Sequence, residues 1–229
     1  MKPMYGYTCT PKQFEQIRKD AIGGPGMFCA PEAYHAMPTP MTGGALCRAG
    51  QTRHRKTRID VEHRGGIGMH TRPLTQSDVP AMWSINEQGL PGTGQVTEAE
   101  MAQLLNVATL ARGAFSDDVL VGFVICLAPQ ADYGSLNYAW FNARYDEFIY
   151  VDRIAVSANS RNKGVGAALY QEVIASSKER LIPIAAEVNL NPPNPGSMRF
   201  HERFDFAEVG VLHHAEKSVT MLLREPSGK

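Results

Sequence analysis

Residues 161–166, Arg-Asn-Lys-Gly-Val-Gly, place two cations and two glycines within six positions. That composition suits phosphate capture by main-chain amides, because glycine lacks a Cβ and lets both a sharp turn and a close ligand approach occur. Arg161 and Lys163 add formal charge, so a pyrophosphate would meet side chains as well as backbone. Two carboxylates stand in unusual company. Asp152 and Glu187 each lie inside an apolar run, where a charge needs either a partner or a task.

The elements that position these residues follow from pattern. Phe148–Val156 is aromatic and β-branched and reads as a largely buried strand, halted by Ser157-Ala158-Asn159-Ser160. A helix follows with Val165, Leu169, Val173 and Ile174 at helical spacing, and Pro183 closes the segment. Strand, glycine loop and helix is the order an anion site needs, since the first amides of a helix are free donors with partial positive charge. Two other phosphate loops are excluded. The dinucleotide pattern requires a small residue where Leu169 stands, and no glycine-lysine-hydroxyl run occurs.

The segment fits R/Q-x-x-G-x-G/A, and in this it resembles the acetyl-coenzyme A loop of the GNAT-type N-acetyltransferases. A second segment, Asn194-Pro195-Gly196-Ser197-Met198-Arg199-Phe200-His201-Glu202-Arg203-Phe204-Asp205-Phe206, resembles that family's N-x-x-A/S-x-x-F-Y/H-x-x-x-G-F and follows a strand at Ile184–Asn189. The resemblance spans roughly Thr71 to Leu223. It implies an α/β GNAT acyl-CoA acyltransferase fold, a central mixed and mostly antiparallel sheet flanked by helices. It implies acetyl-CoA as co-substrate, held by Arg161, Asn162, Lys163, Gly164, Val165, Gly166 and Ala167 at the diphosphate. The carrier's pantetheine arm would lie along Ile154, Ala155 and Val156 through their backbone, with Asn194 and Ser197 at the end of the split sheet.

The chemistry so implied is direct transfer of acetyl to the amine of a small molecule or amino-acid-like acceptor. An amine of pKa about 10 costs roughly 4 kcal/mol to deprotonate at pH 7, so a base is useful. Asp152 shares a strand face with Ile154 and Val156 if the period of two is unbroken, and is one candidate; Glu187 on the adjoining strand is the other. His201 stands where many relatives carry tyrosine and is the candidate acid. Asp205 replaces the family's usual glycine, which suggests an altered turn. The rival reading is a non-catalytic acyl-CoA sensor module.

Elsewhere, Thr75 and Asp78 open a helical stretch through Glu87, residues 89–95 break it, and Thr97-Glu98-Ala99-Glu100 forms a capping box before a helix through Ala108. Asp117-Asp118 turns the chain into Val119–Leu127. Residues 128–147 form an insertion rich in aromatics, either a pocket wall or packing. Lys plus Arg equals Asp plus Glu at 23 each, which argues against a general attraction to nucleic acid. Residues 1–68 hold ten basic and five acidic side chains and read as a poorly ordered, Gly/Pro-rich leader, with Met69 as a candidate start of the domain 69–229. Three of the four cysteines fall in that leader without metal-site spacing, so no metal is expected, and Cys126 reads as a buried hydrophobe. No signal peptide or membrane span is apparent, which makes the cytoplasm the default. A homodimer is one assembly the resemblance allows.

Overall fold

A computed structural model describes residues 68–214 and 217–226. The expectations for the basic leader and its three cysteines therefore lie outside the described residues. Seven strands form one sheet: β1 (Met69–Pro73), β2 (Leu110–Ser116), β3 (Val119–Leu127), β4 (Ile149–Val156), β5 (Ile184–Asn191), β6 (Ala207–His213) and β7 (Ser218–Arg224). Their spatial order is β1-β2-β3-β4-β5-β7-β6, and every neighbouring pair is antiparallel except β4 and β5. The expected mixed sheet is therefore present.

Five helices cover the two faces: α1 (Val79–Glu87), α2 (Glu98–Val107), α3 (Leu136–Asn142), α4 (Val165–Arg180) and α5 (Pro195–Glu202). Val79, Met82 and Ile85 of α1, Met101 and Leu104 of α2 and the aromatics of α3 share one apolar cluster with Phe123, Ile125 and Tyr150 of the sheet. Val165, Leu169, Tyr170 and Val173 of α4 pack on the opposite face against Val124, Val151 and Ala186, with Phe200 and Phe204 beside them. Two cores sandwich one sheet, as helix stripes and strand alternation require.

Local sequence accounts for several boundaries. Thr97 caps α2 by accepting from the Glu100 amide at 3.2 Å, and the Glu100 carboxylate accepts in return from the Thr97 amide at 2.7 Å, the predicted capping box. Asp117 and Asp118 both take left-handed φ, 48° and 63°, forming a two-residue turn whose twist matches a hairpin. Asp205 stands at φ 60° after α5, so it adopts the conformation a glycine would otherwise supply, which aspartate tolerates better than most residues.

The insertion between β3 and β4 is a built part of the fold. Ser135 caps α3, Tyr138, Trp140 and Phe141 are buried, and the Tyr138 hydroxyl donates to the Ala128 carbonyl. Phe141 sits within 6.0 Å of Phe148 and 5.9 Å of Tyr150, ring centre to ring centre. Most of its aromatics thus pack on the sheet. Truncating Phe141, which is fully buried, to alanine should lower the unfolding free energy by about 3–5 kcal/mol. Denaturant titration measures this, and a loss below about 1 kcal/mol would show the insertion to be an ornament on the surface.

Candidate active site

Strands β4 and β5 run parallel yet pair only at Ile149 with Ile184 and Tyr150 with Ala185. Past Tyr150 and Ala185 neither strand serves the other as a partner, so one edge of each is left with peptide groups turned toward a gap. A cavity of about 670 Å³ occupies this place, lined by Asp152, Arg153 and Ile154 of β4 and by Ala186 through Asn189 of β5. Because the gap passes through the sheet, the cavity takes walls from both helical layers: Tyr133 and Asn137 from the insertion, Tyr170 and His201 from α4 and α5.

A β-bulge shapes the β4 wall. Ile125 of β3 pairs with Arg153 and Cys126 with Val151, so Asp152 is an extra residue. Val151 and Ile154 consequently pack in the same core, three positions apart, while Tyr150 and Ala155 belong to the other. The period-of-two argument that set Asp152 on one face with Ile154 and Val156 fails at this bulge. Asp152 instead binds the Arg153 guanidinium at 2.7 Å, both side chains almost wholly buried at 3% and 5% exposure. Arg153 also donates to Asn86 Oδ1 at 3.1 Å. The carboxylate and guanidinium largely cancel each other in charge.

Glu187 differs. Its Oε1 accepts from Asn137 Nδ2 and from the Tyr150 hydroxyl, both at 2.9 Å, whereas its Oε2 is buried without a partner among the described residues. Burial first, and the Asp152 charge nearby, push its pKa up to about 7, against the opposing pull of the Asn137 and Tyr150 hydrogen bonds. Glu187 is thereby set to exchange a proton near neutrality. Asn137 is held in turn by His214, whose Nε2 lies 2.9 Å from Asn137 Oδ1. Since a carboxylate only accepts, the Asn137 amide must face Glu187, and its oxygen then requires a hydrogen on His214 Nε2.

His201 is buried and fully engaged. Its Nδ1 lies 2.8 Å from the Ser197 carbonyl oxygen, which can only accept, so Nδ1 carries the hydrogen and Nε2 accepts the Tyr170 hydroxyl at 2.6 Å. Burial also lowers its pKa, keeping the ring neutral. The geometry makes His201 a support for Tyr170, with no proton of its own aimed at the cavity. Asn194 caps α5, its Oδ1 accepting from the Ser197 amide at 3.1 Å, and both residues line the cavity.

The glycine loop stands as the sequence placed it, between β4 and α4. Asn162 and Gly164 take left-handed φ, 61° and 83°, and the first intrahelical bond runs from the Ala168 amide to the Gly164 carbonyl at 3.0 Å. The amides of Val165, Gly166 and Ala167 precede it, with no side-chain cap upon them. A Cβ on Gly164 would meet nothing within 4 Å, so an anion has room to approach. Lys163 is exposed at this end, while Arg161 donates to the Gln88 carbonyl at 2.6 Å and the Val156 carbonyl at 3.3 Å, tying α1 to the loop. A carrier with a diphosphate and an amide-bearing arm fits both features: free helix amides at one end and an open strand edge at the other. Among the described residues no three of His, Cys, Asp and Glu gather as a metal site would need. No helix there is long and apolar enough to cross a membrane.

Sequence reasoning missed Tyr150, Asn137, Tyr170 and His214. Tyr150 sits in an apolar strand, Tyr170 lies outside the stripe of Val165, Leu169, Val173 and Ile174, and Asn137 lies in an insertion with no motif. Only their convergence on Glu187 and His201 marks them.

Known proteins bear on this geometry. The sequence matches the acetyltransferase (GNAT) family over residues 81–206. No curated protein matches it by sequence. Among solved structures, the ribosomal-protein-S18-alanine N-acetyltransferase of Escherichia coli superposes with a TM-score of 0.54 at 16% identity, over 68% of this chain and 92% of that one. Arabidopsis thaliana NAA60, solved with a bisubstrate analogue, gives 0.56 at 18% identity over 69% and 98%. Ard1 of Thermoplasma volcanium gives 0.55 at 18% identity over 69% and 97%.

The Glu187 environment has a thermodynamic signature. A carboxyl whose folded pKa lies above its ordinary value favours the native state at low pH, and that contribution is lost as pH rises from about 4.5 through about 7. Glu187→Gln removes the charge, so its stability relative to wild type should grow over this window, to about 3 kcal/mol at pH 8. Thermal melts of both proteins at pH 5 and pH 8 measure it. A difference that does not change with pH would mean the carboxyl is not held this way.

Proposed function

The chain belongs to the acetyltransferase (GNAT) family and is an acetyl-CoA-dependent N-acetyltransferase, and we propose that it acetylates the primary amine of a small molecule or amino-acid-like acceptor, with Glu187 as the general base. The observation that carries this is the unpartnered Oε2 of Glu187, buried on the cavity wall at the β4–β5 gap with a pKa of about 7. Acetyl-CoA supplies an activated acetyl thioester. In this reading the amides of Val165, Gly166 and Ala167 and the Lys163 ammonium hold the diphosphate, and the main chain of Ile154, Ala155 and Val156 receives the pantetheine arm as an added strand.

Acceptor amines arrive as ammonium ions, and Glu187 Oε2 takes one proton from the nitrogen. The nitrogen lone pair so freed forms the C–N bond as the C–S bond breaks, the electron pair leaves on sulfur, and the nitrogen sheds its second proton to the departing thiolate or to water, giving amide and thiol. A thiol of ordinary pKa about 8.5 departs readily as thiolate near neutral pH, so no strong acid is demanded. In this reading the backbone N–H groups along the open edge of β4 stabilise negative charge on the carbonyl oxygen. Asp152, neutralised by Arg153, acts on Glu187 through its nearby charge, and His201 acts through Tyr170, whose hydroxyl it fixes at the floor of the cavity.

Two outcomes test the assignment. With a primary amine acceptor, kcat/KM should rise with pH to a plateau through about pH 7, and Glu187→Gln should lower it by about 10²–10⁴ at pH 8 while acetyl-CoA binding is retained. Thiol release measures the first and calorimetry the second; turnover of the variant within a few-fold of wild type would remove Glu187 from the chemistry. Gly164→Val forces a β-branched residue into left-handed φ at a cost of about 1–2 kcal/mol. Its acetyl-CoA dissociation constant should rise about tenfold, and an unchanged constant would refute the loop's role.

A further inference from the structure

The charges around the cavity sort into a pattern. Asp152 and Arg153 neutralise each other at 2.7 Å within β4. Among the described residues, the charged side chains left without an ion pair along the walls are Glu187 on β5 and Lys217, immediately before β7. Lys217 is exposed and makes no ion pair among the described residues. Its carbonyl accepts from the His214 amide at 2.7 Å, which fixes the main chain at this corner of the hairpin. His214 is tied through Asn137 to Glu187, so this corner is linked to the base by two hydrogen bonds of 2.9 Å.

Resting on the proposed amine acetylation, we infer that the acceptor is a small amine that also carries an acid group, and that Lys217 is the residue that recognises the acid. A cavity with an anion on one wall and a cation at its rim is complementary to a zwitterion turned the opposite way: ammonium on Glu187, carboxylate or phosphate on Lys217. Register sets the spacing. Met221 lies opposite Glu187 and Ser218 opposite Asn191, so four steps along the chain separate Lys217 from the level of Glu187. At about 3.3 Å per residue this is about 13 Å between main-chain positions, which the two side chains shorten. An α-amino acid, with amine and carboxylate on one carbon, falls short of that span. The fit is to an acceptor whose acid stands several bonds from its amine.

The acceptor pairs 6-aminohexanoate with hexylamine and 4-aminobutanoate with butylamine probe this directly, each pair differing in the acid group. Full-length protein should show kcat/KM at least tenfold higher for the acid of each pair, with the advantage shrinking at high salt. Lys217→Ala should remove about tenfold of that ratio through KM, and Lys217→Arg should keep most of it. Equal use of acid and neutral amines, or a ratio that Lys217→Ala leaves unchanged, overturns the inference while amine acetylation stands. Glycine or a peptide N-terminus used better than 6-aminohexanoate overturns it as well. Absence of turnover with every amine, acetyl-CoA binding being intact, overturns the underlying reading and this inference together.

Discussion

Two residue pairs are all that join β4 to β5, and the rest of the site depends on that brevity. A sheet whose central strands stayed paired to their ends would have no edge inside it and no passage between its faces. Here the strands part after Tyr150 and Ala185, so main-chain groups that would satisfy each other are left to be met by something else. The β-bulge at Asp152 belongs to the same device, because an extra residue twists β4 at the point where pairing ends. Two cores, one on each face, pack the sheet on either side of this gap. The cavity is a consequence of interrupted pairing more than of any single side chain.

Within that gap the two carboxylates illustrate how environment separates like groups. Asp152 has a guanidinium at salt-bridge distance, which stabilises its ionised form. Glu187 has only neutral donors at its one engaged oxygen, and Asp152 close by opposes its ionisation. Burial that the neutral donors and the nearby Arg153 do not offset lets a carboxyl hold its proton to higher pH, the condition a base for a neutral-pH reaction requires. Asn137 comes from the inserted α3, so the packing of Trp140 and Phe141 on the sheet indirectly sets the polar partner of Glu187.

Much of the architecture was legible in the sequence where one element imposes its own pattern. The glycine loop, the α4 stripe, the Thr97 capping box and the Asp117-Asp118 turn each rest on residues close in the chain, and each is present. What escaped notice depends on tertiary context. β2 contains Gly113 and Ala114 amid mixed residues, and β6 is an edge strand interrupted at Gly210, so neither shows a clean alternation. The face of Asp152 was misjudged because a bulge breaks periodicity without any sequence mark. Asp152 and Glu187 both stand as candidates in the sequence, and the 2.7 Å contact of Asp152 with Arg153 is what sets them apart. His201 was legible as a motif position, but its tautomer follows from the Ser197 carbonyl and the Tyr170 hydroxyl, the latter 31 residues away.

The central claim, that the open edge of β4 and the start of α4 receive acetyl-CoA, is tested most directly by amide hydrogen exchange of the full chain with and without acetyl-CoA. The account predicts slowed exchange confined chiefly to Asp152–Val156 and Lys163–Ala168, the strand edge and the helix start. Saturating acetyl-CoA that leaves both segments unprotected, or protects a different surface, would contradict it.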